Sequence, residues 1–154
     1  MIEARLQELG ISLPSPSMPA ANYVPFVKTG SFILISGQLP LWNGKLKYIG
    51  KLGRDFTLEE GQDAARLCIL NILAQLKTAC EGNLSSVSQC VRLGGFVHCT
   101  DNFKDHSHVM NGASDLMVSI FGEKGRHARI AVGVNSLPLG AAVEIEALFK
   151  VREP

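Results

Sequence analysis

Apolar residues recur with helical spacing in two segments of the chain and with strand-like spacing in several others. From Thr57 to about Cys80 they form one helical stripe, and Thr57 and Glu60 have the spacing of a capping box. A second helix is predicted from Asp105, which can cap its first turn, to Gly122. Strands rich in β-branched and aromatic residues are predicted at about 23–28, 31–37, 85–100, 128–135 and 142–151.

Glycines mark the breaks between these segments. Asn43-Gly44 is the strongest short hairpin signal and adds a further strand pair or an extended ribbon before the first helix. Gly82 lies where that helix is expected to end. Gly94-Gly95 interrupts the strand at 85–100 and predicts a bulge or a close approach of another group. The resulting order, β-β-β-α-β-α-β-β, is typical of an α+β domain with two helices packed on one face of a mixed sheet.

The first twenty residues differ in pattern from the rest of the chain. Ile2, Leu6 and Leu9 share one helical face before Gly10, and the following segment LPSPSMPA contains prolines that predict an extended connector. A chain of 154 residues most economically forms one core. We therefore interpret 1–20 as an arm lying on a single domain that spans 1–154.

Composition and charge narrow the functional classes. Apolar residues make up 46% and charged residues 19%, which argues against a disordered chain. The net charge is only +1, which argues against a nucleic-acid or membrane-surface partner. The N-terminus is too polar for a signal peptide, and no apolar run approaches the length needed to span a membrane. The four cysteines lack CxxC spacing and are expected to be buried free thiols, which favours a cytoplasmic location.

The last two predicted strands carry charges among small residues. Side chains alternate along a strand, so Arg129 shares a face with Ala131 and Gly133, and Glu144 with Glu146. If the helices cover the apolar faces of both strands, these charges share the open face of the sheet. A symmetric hairpin loop would then separate Arg129 from Glu144 by about 13 Å. The face is either a solvated surface with a weak ion pair or a site where both charges meet one small ligand, and the two charges could also be brought together across a subunit boundary.

The same residues carry a family resemblance. The segment RHARIAVGVNSLPLGAAVEIEA fits the pattern R-x-A-V-x-V-x-x-L-P-x-x-x-x-V-E-I-E-A and resembles the C-terminal signature of the Rid (YjgF) family of imine/enamine deaminases. NYVPFVKTGSFILISGQLP is similar to that family's N-terminal strands. The resemblance implies a chorismate-mutase-like subunit, a homotrimer with clefts between subunits, and hydrolysis of 2-imino or enamine acids to 2-keto acids and ammonia. It implies neither a cofactor nor a metal.

The resemblance also implies roles for individual residues. The signature arginine corresponds to Arg129, which would hold the substrate carboxylate because a planar guanidinium can meet a carboxylate bidentately. The glutamate of VEIEA corresponds to Glu144, which would position or activate the attacking water. Tyr23 and Ser36 correspond to the family's cleft residues and could contact the tetrahedral intermediate or the leaving ammonia.

Two further positions depart from the family pattern. Ala131 stands where close relatives commonly have cysteine, so its backbone groups are expected to contact the substrate. Asn111 is the nearest counterpart of an asparagine near the start of the family's second helix, within a segment longer than the usual pattern. With its longer N-terminal arm, the chain is interpreted as a divergent branch.

The histidines have competing interpretations. His106 and His108 could hold a metal only if they shared a face, and at a helix start they are expected to be solvated instead. His98 is expected to be a hydrogen-bonded core residue, whereas His127 could tune the cleft or be exposed, and exposure is favoured.

Three function classes remain from the sequence. The first is an imine deaminase acting on a small 2-imino acid, and the second is a non-catalytic module that binds a small carboxylic acid on the same fold. The third is an endoribonuclease or translation inhibitor, a label attached to this family. The neutral charge and the lack of an aromatic stacking platform count against the third class.

Overall fold

The computed structural model describes residues 1–18 and 21–152. The end of the predicted arm at 19–20 and the last two residues of the predicted domain lie outside the described residues. In chain order the elements are α1 (Ile2–Glu8), β1 (Phe26–Thr29), β2 (Phe32–Gln38), β3 (Leu41–Trp42), β4 (Lys45–Leu46), α2 (Leu58–Ala79), β5 (Val87–His98), α3 (His106–Phe121), β6 (Ala128–Val134) and β7 (Val143–Val151).

Five strands form one mixed sheet in the order β1-β2-β7-β5-β6, and β3 pairs with β4 in a separate hairpin. Only β5 and β6 run parallel, and the other neighbours are antiparallel. The predicted α+β class and the mixed sheet are confirmed. The Asn43-Gly44 turn is also confirmed, with positive φ angles of 49° and 84° that a two-residue hairpin of this kind requires.

The two long helices start as their sequences suggest, with one difference. The capping box at Thr57 is complete, because the Glu60 amide donates to the Thr57 hydroxyl at 3.1 Å and the Thr57 amide donates to the Glu60 carboxylate at 3.0 Å. Asp105 occupies the capping position of α3, but its side chain makes no capping hydrogen bond. Its carboxylate instead lies 3.3 Å from His108 Nδ1, so that part of the prediction is wrong.

Helices α2 and α3 pack on the face of the sheet formed by alternate residues of β2, β5 and β7. That face is built from fully or almost fully buried side chains, including Ile33, Ile35, Leu93, Val97, Val143, Ile145 and Phe149. Each such side chain contributes roughly 1.5–3 kcal/mol when it is fully removed from water. Gly95 lies directly under Met110 of α3, where a Cβ would collide with the thioether. Of the two alternatives predicted at Gly94-Gly95, the structure shows the close approach of another group. It does not show a bulge there, because the register shifts of β5 lie earlier in the strand.

The predicted arrangement of the last two strands is wrong in two respects. First, β6 and β7 are not hairpin partners, because β5 lies between them. Second, Arg129, Ala131 and Gly133 pair in register with Leu93, Gly95 and Val97, so they face the helices and not the open face. The physical reason is that β6 follows α3 as a parallel crossover and ends at the sheet edge. Both faces of an edge strand are half-covered, so apolar alternation does not identify the buried face.

Candidate functional site

Arg129 lies on β6 with its guanidinium against α3. Its Nη1 atom donates to Asn111 Oδ1 at 2.9 Å and to Ser114 Oγ at 3.1 Å, which uses both Nη1 hydrogens. Its Nη2 atom makes one long contact of 3.5 Å with the Ser107 carbonyl. Among the described residues, no acceptor forms a hydrogen bond with the Nε–H group of Arg129. The edge formed by Nε and Nη2, which offers two parallel donors to a carboxylate, therefore keeps donors available.

The Ser114 hydroxyl connects Arg129 to His127. Ser114 Oγ lies 2.8 Å from His127 Nε2, and His127 Nδ1 lies 2.6 Å from the Gly125 carbonyl. His127 is half-buried, and the sequence-based expectation of an exposed side chain is wrong. With Val118 and Arg126, these side chains line a shallow pocket of about 300 Å³ beside β6.

Glu144 lies on the open face of β7 in a second pocket of about 370 Å³. Burial, and then the nearby Glu146 carboxylate, raise the pKa of Glu144 above its ordinary value. The carboxylate rests against Gly37, where a Cβ would lie 2.6 Å from Glu144 Oε2. A register shift between Ile35 and Gln38 brings this part of β2 beside the glutamate.

Tyr23 and Ser36 line the same pocket as Glu144. The Ser36 hydroxyl donates to the Val24 carbonyl at 2.7 Å and so ties the segment that carries Tyr23 to β2. Tyr23 is 57% exposed and is free to contact a ligand. The arm contributes Ser17 and Met18 to the pocket wall. The remaining lining residues are Pro25, Gly37, Gln38, Leu39, Leu41, Pro138 and Leu139.

The two charged residues lie on opposite faces of one subunit. Arg129 is level with Leu93 on the helix side of the sheet, and Glu144 is level with Phe96 on the open side. Two strand spacings and three residue rises separate their Cα atoms by about 14 Å, and the sheet itself intervenes. One subunit therefore does not bring Arg129 and Glu144 to the same small ligand.

A third polar pocket, of about 350 Å³, lies at the start of α3. His106 Nε2 is 3.6 Å from Cys99 Sγ, and Gly133 leaves room for both because a Cβ there would collide with them. Burial raises the pKa of the Cys99 thiol. Within 1–18 and 21–152, no cluster of three histidine, cysteine or acidic residues is arranged to hold a metal ion. His98 is buried and bonds the Ala141 carbonyl at 3.2 Å, as predicted.

Comparison with known proteins identifies the family. The family described as "YjgF/chorismate mutase-like, putative endoribonuclease" matches residues 3–150. This chain belongs to the YjgF family. It is 48% identical to Protein TCP17 of Trypanosoma cruzi over 151 residues, which cover 97% of this chain and 94% of that protein.

Solved structures that are similar to this chain confirm the fold. Atu1372 from Agrobacterium tumefaciens, of unknown function, is 47% identical with a TM-score of 0.91, over 99% of this chain and 94% of that one. A putative endoribonuclease from Shewanella oneidensis MR-1 is 40% identical with a TM-score of 0.95, over 98% and 99%. More distantly, RidA from Psychrobacter is 27% identical, with a TM-score of 0.60 over 89% and 94%. E. coli TdcF with bound serine is 22% identical, with a TM-score of 0.64 over 93% and 97%.

The YjgF-type resemblance drawn from the sequence is thus confirmed for family and fold, while the residue roles stay predictions. The structure brings Asn111 to Arg129 and brings Tyr23 and Ser36 to Glu144. Ala131 lies between Arg129 and Gly133 on the helix side of β6, level with Gly95.

Of the two remaining neighbours of Arg129, Ser114 was missed by the sequence analysis, and His127 was named there but expected to be exposed. Ser114 is three residues after Asn111 and therefore lies on the same helical face. His127 is two residues before Arg129 and, with strand alternation, lies on the same side of the chain. That spacing is the signal that could have identified both.

No helix within the described residues is both long enough and apolar enough to cross a bilayer.

Proposed function

We propose that the protein hydrolyses small 2-imino acids to 2-oxo acids and ammonia. The observation that carries the proposal is the guanidinium of Arg129, whose Nη1 atom is anchored on α3 while Nε keeps its donor free. A planar pair of donors on a fixed support suits the carboxylate that every 2-imino acid carries. The four free cysteines suit a reducing compartment, and we place the reaction in the cytoplasm.

Glu144 would complete the site from a second copy of the chain. Within one subunit the sheet separates it from Arg129, so a shared substrate requires an inter-subunit cleft. The open face of the sheet supports such an assembly, because it exposes the large apolar side chains Phe32, Leu34 and Ile130. We propose a homotrimer in which the Arg129 side of one subunit meets the Glu144 pocket of its neighbour.

The chemistry follows from these positions. Arg129 holds the carboxylate, and the Glu144 carboxylate accepts a proton from water as the oxygen forms a bond to C2 of the iminium group. The C=N electron pair moves to nitrogen, and Glu144 passes the proton to that nitrogen. Glu144 then accepts the remaining hydroxyl proton as the carbonyl forms and the C–N bond breaks, so the nitrogen leaves as ammonia, which takes this last proton to become ammonium. A raised pKa makes Glu144 a stronger base than an ordinary carboxylate. The iminium carbon is already electrophilic, so positioning and one base suffice, and the scheme assigns no role to a cofactor or metal.

Two other functions are supported by particular observations. E. coli TdcF is described with bound serine, which is a small carboxylic acid, and a module that binds such an acid is our second candidate. The family description and the Shewanella relative name an endoribonuclease. The near-neutral charge of this chain gives little attraction for phosphates, so we rank this function third.

The first experiment measures the release of 2-oxobutanoate from 2-iminobutanoate, generated in situ by a threonine dehydratase. We expect acceleration by the protein and a loss of about 100-fold in kcat/KM for Arg129→Ala, since hydrogen bonds to a charged group contribute about 1.5–3 kcal/mol. Arg66→Ala, which removes an exposed arginine from α2, is the matched control and should keep full activity. A folded protein that accelerates no 2-imino acid would contradict the deaminase proposal and favour the binding module.

Subunit mixing tests the composite site directly. Arg129→Ala and Glu144→Gln subunits are each expected to be inactive. If each cleft takes Arg129 from one subunit and Glu144 from another, random mixing in equal amounts leaves about a quarter of the clefts intact. Recovery of about that fraction of activity after co-refolding supports the proposal. No recovery from two inactive variants, in mixtures shown to exchange subunits, would mean that both residues act within one subunit and would contradict the composite site. An active Arg129→Ala or Glu144→Gln variant would show that the residue it lacks is not needed.

A further inference from the structure

A chain of hydrogen bonds runs from the Gly125 carbonyl through His127 and Ser114 to Arg129. The Gly125 carbonyl fixes the direction of the first bond, and the neutral imidazole fixes the next. A carbonyl only accepts, so His127 Nδ1 donates to Gly125 at 2.6 Å, and in the neutral imidazole Nε2 then keeps its lone pair. Ser114 Oγ–H therefore donates to Nε2 at 2.8 Å, and its oxygen accepts from Arg129 Nη1 at 3.1 Å. This series of hydrogen bonds thus selects one tautomer of His127 and one rotamer of the Ser114 hydroxyl.

The local fold explains why these groups meet. Helix α3 ends at Phe121, and a short turn over Gly122–Gly125 reverses the chain toward β6. Gly125 packs so closely on the Met117 backbone that a side chain there would collide with it. Its carbonyl is thereby placed within reach of His127. Arg129 lies two residues after His127, on the same side of the strand, and faces Ser114. Ser114 lies about one helical turn after Asn111 on α3.

We propose that His127 and Ser114 are positioning residues, which hold the guanidinium of Arg129 so that its Nε donor faces the substrate carboxylate. The inference rests on the proposed clamp function of Arg129. An isolated serine hydroxyl rotates among three staggered positions, and in one of them its hydrogen would point at the arginine. With His127 accepting that hydrogen, the serine offers Arg129 a lone pair instead. Asn111 supplies the second acceptor, so the Nη1 end is fixed at two points.

Positioning of this kind affects binding and not the chemical step. A carboxylate is clamped equally in the ground state and in the transition state, so a loosened clamp raises KM with little change in kcat. His127 acts only through Ser114, so removing it should matter only while the serine is present. A general loss of folding would instead lower the active fraction and reduce kcat in every variant.

The experiment compares Ser114→Ala, His127→Phe and the double variant with the wild-type protein. We expect each single variant to raise KM for 2-iminobutanoate and Kd for 2-oxobutanoate by about three- to tenfold, with kcat within about twofold. The double variant should be no weaker than Ser114→Ala alone. His127→Gln can accept the serine hydrogen through its amide oxygen and should restore Kd to within about twofold of the wild type. Ser119→Ala, an exposed serine on the same helix, is the matched control.

A second readout does not depend on turnover. The nitrogen-15 signals of the Arg129 guanidinium, identified by their loss in Arg129→Ala, should show restricted rotation in the wild type and averaging in His127→Phe and Ser114→Ala. Unchanged signals and unchanged Kd in those two variants would overturn the positioning role, even if Arg129→Ala abolishes activity and so supports the proposed function. If the protein shows no deaminase activity but the signals average as expected, the proposed function fails while the positioning role stands.

Discussion

Gly37 offers a sharp test of the role proposed for Glu144. Its backbone φ is not in the left-handed region, so Gly37→Ala adds a methyl group without backbone strain. That Cβ would lie 2.6 Å from Glu144 Oε2 and 3.0 Å from its Cδ. Ordinary contact begins near 3.4 Å, so the carboxylate has to move by about 0.8 Å. A displacement of about 1 Å at a reacting group can reduce the rate by about 100-fold.

We therefore expect Gly37→Ala to lower kcat by about 10- to 100-fold with KM nearly unchanged, because the methyl group does not touch Arg129. The protein should lose less than about 1 kcal/mol of stability, since a half-exposed glutamate can choose another rotamer. The assay is 2-oxobutanoate release at saturating substrate, with urea unfolding alongside.

Gly94→Ala is the matched control for this substitution. On the same open face, its Cβ would lie 2.8 Å from Glu146 Oε1, so it crowds a neighbouring carboxylate that has no proposed catalytic role. Its kcat should stay within about twofold of the wild type. Equal losses of kcat in Gly37→Ala and Gly94→Ala would refute the reasoning, because they would show that the loss does not come from displacing Glu144. An unchanged kcat in Gly37→Ala would refute it as well, because the position of Glu144 would then not matter for the reaction.

Three further predictions concern pH, stability and assembly. Because Glu144 has a raised pKa and acts as a base, kcat/KM should rise with pH through a value above the ordinary 4.5, and Glu144→Gln should remove this rise from an activity titration. In the same pH window the folded state binds more protons than the unfolded state, so its stability should fall as the pH rises. Thr57→Ala removes the capping hydrogen bond of α2 and should lower the free energy of unfolding, measured in urea, by about 1 kcal/mol. Thr78→Ala, on the last turn of the same helix, is the comparison. An unchanged urea midpoint in Thr57→Ala would argue against a stabilising cap. Leu34→Glu places a charge on the exposed apolar face and should convert the proposed trimer to monomers in sedimentation velocity. A wild-type protein that sediments as a monomer would contradict the proposed assembly.

The sequence predicts the fold well where local rules act alone. The capping box at Thr57, the turn at Asn43-Gly44 and the core stripes of the long helices depend on neighbours within a few residues, and the structure has all of them. Family membership could also be inferred from two short motifs at opposite ends of the chain. These features are determined by side-chain periodicity and turn chemistry, both of which are visible in one dimension.

The arrangement around Arg129 could not be predicted in the same way. Strand β6 joins β5 in a parallel pair after the α3 crossover, and no local pattern distinguishes that pairing from a hairpin with β7. Ile130 is 44% exposed, so the apolar side of β6 is not its buried side. This long-range pairing brings Arg129 to its partners on α3, which is why Ser114 was not predicted as one of them.

Arg129 lies on the helix side of the sheet and not on the open side that carries Glu144, and this changes how the site has to be understood. Arg129 is fixed by α3 and by the turn that follows it, whereas Glu144 is fixed by β2 and by the shifted register near Gly37. These supports share no side chain, so each half can form in a free subunit. Neither half alone can hold a 2-imino acid and activate water for it. The proposed chemistry therefore requires the proposed assembly, in which contact between copies of the chain would bring the guanidinium of one subunit to the carboxylate of another.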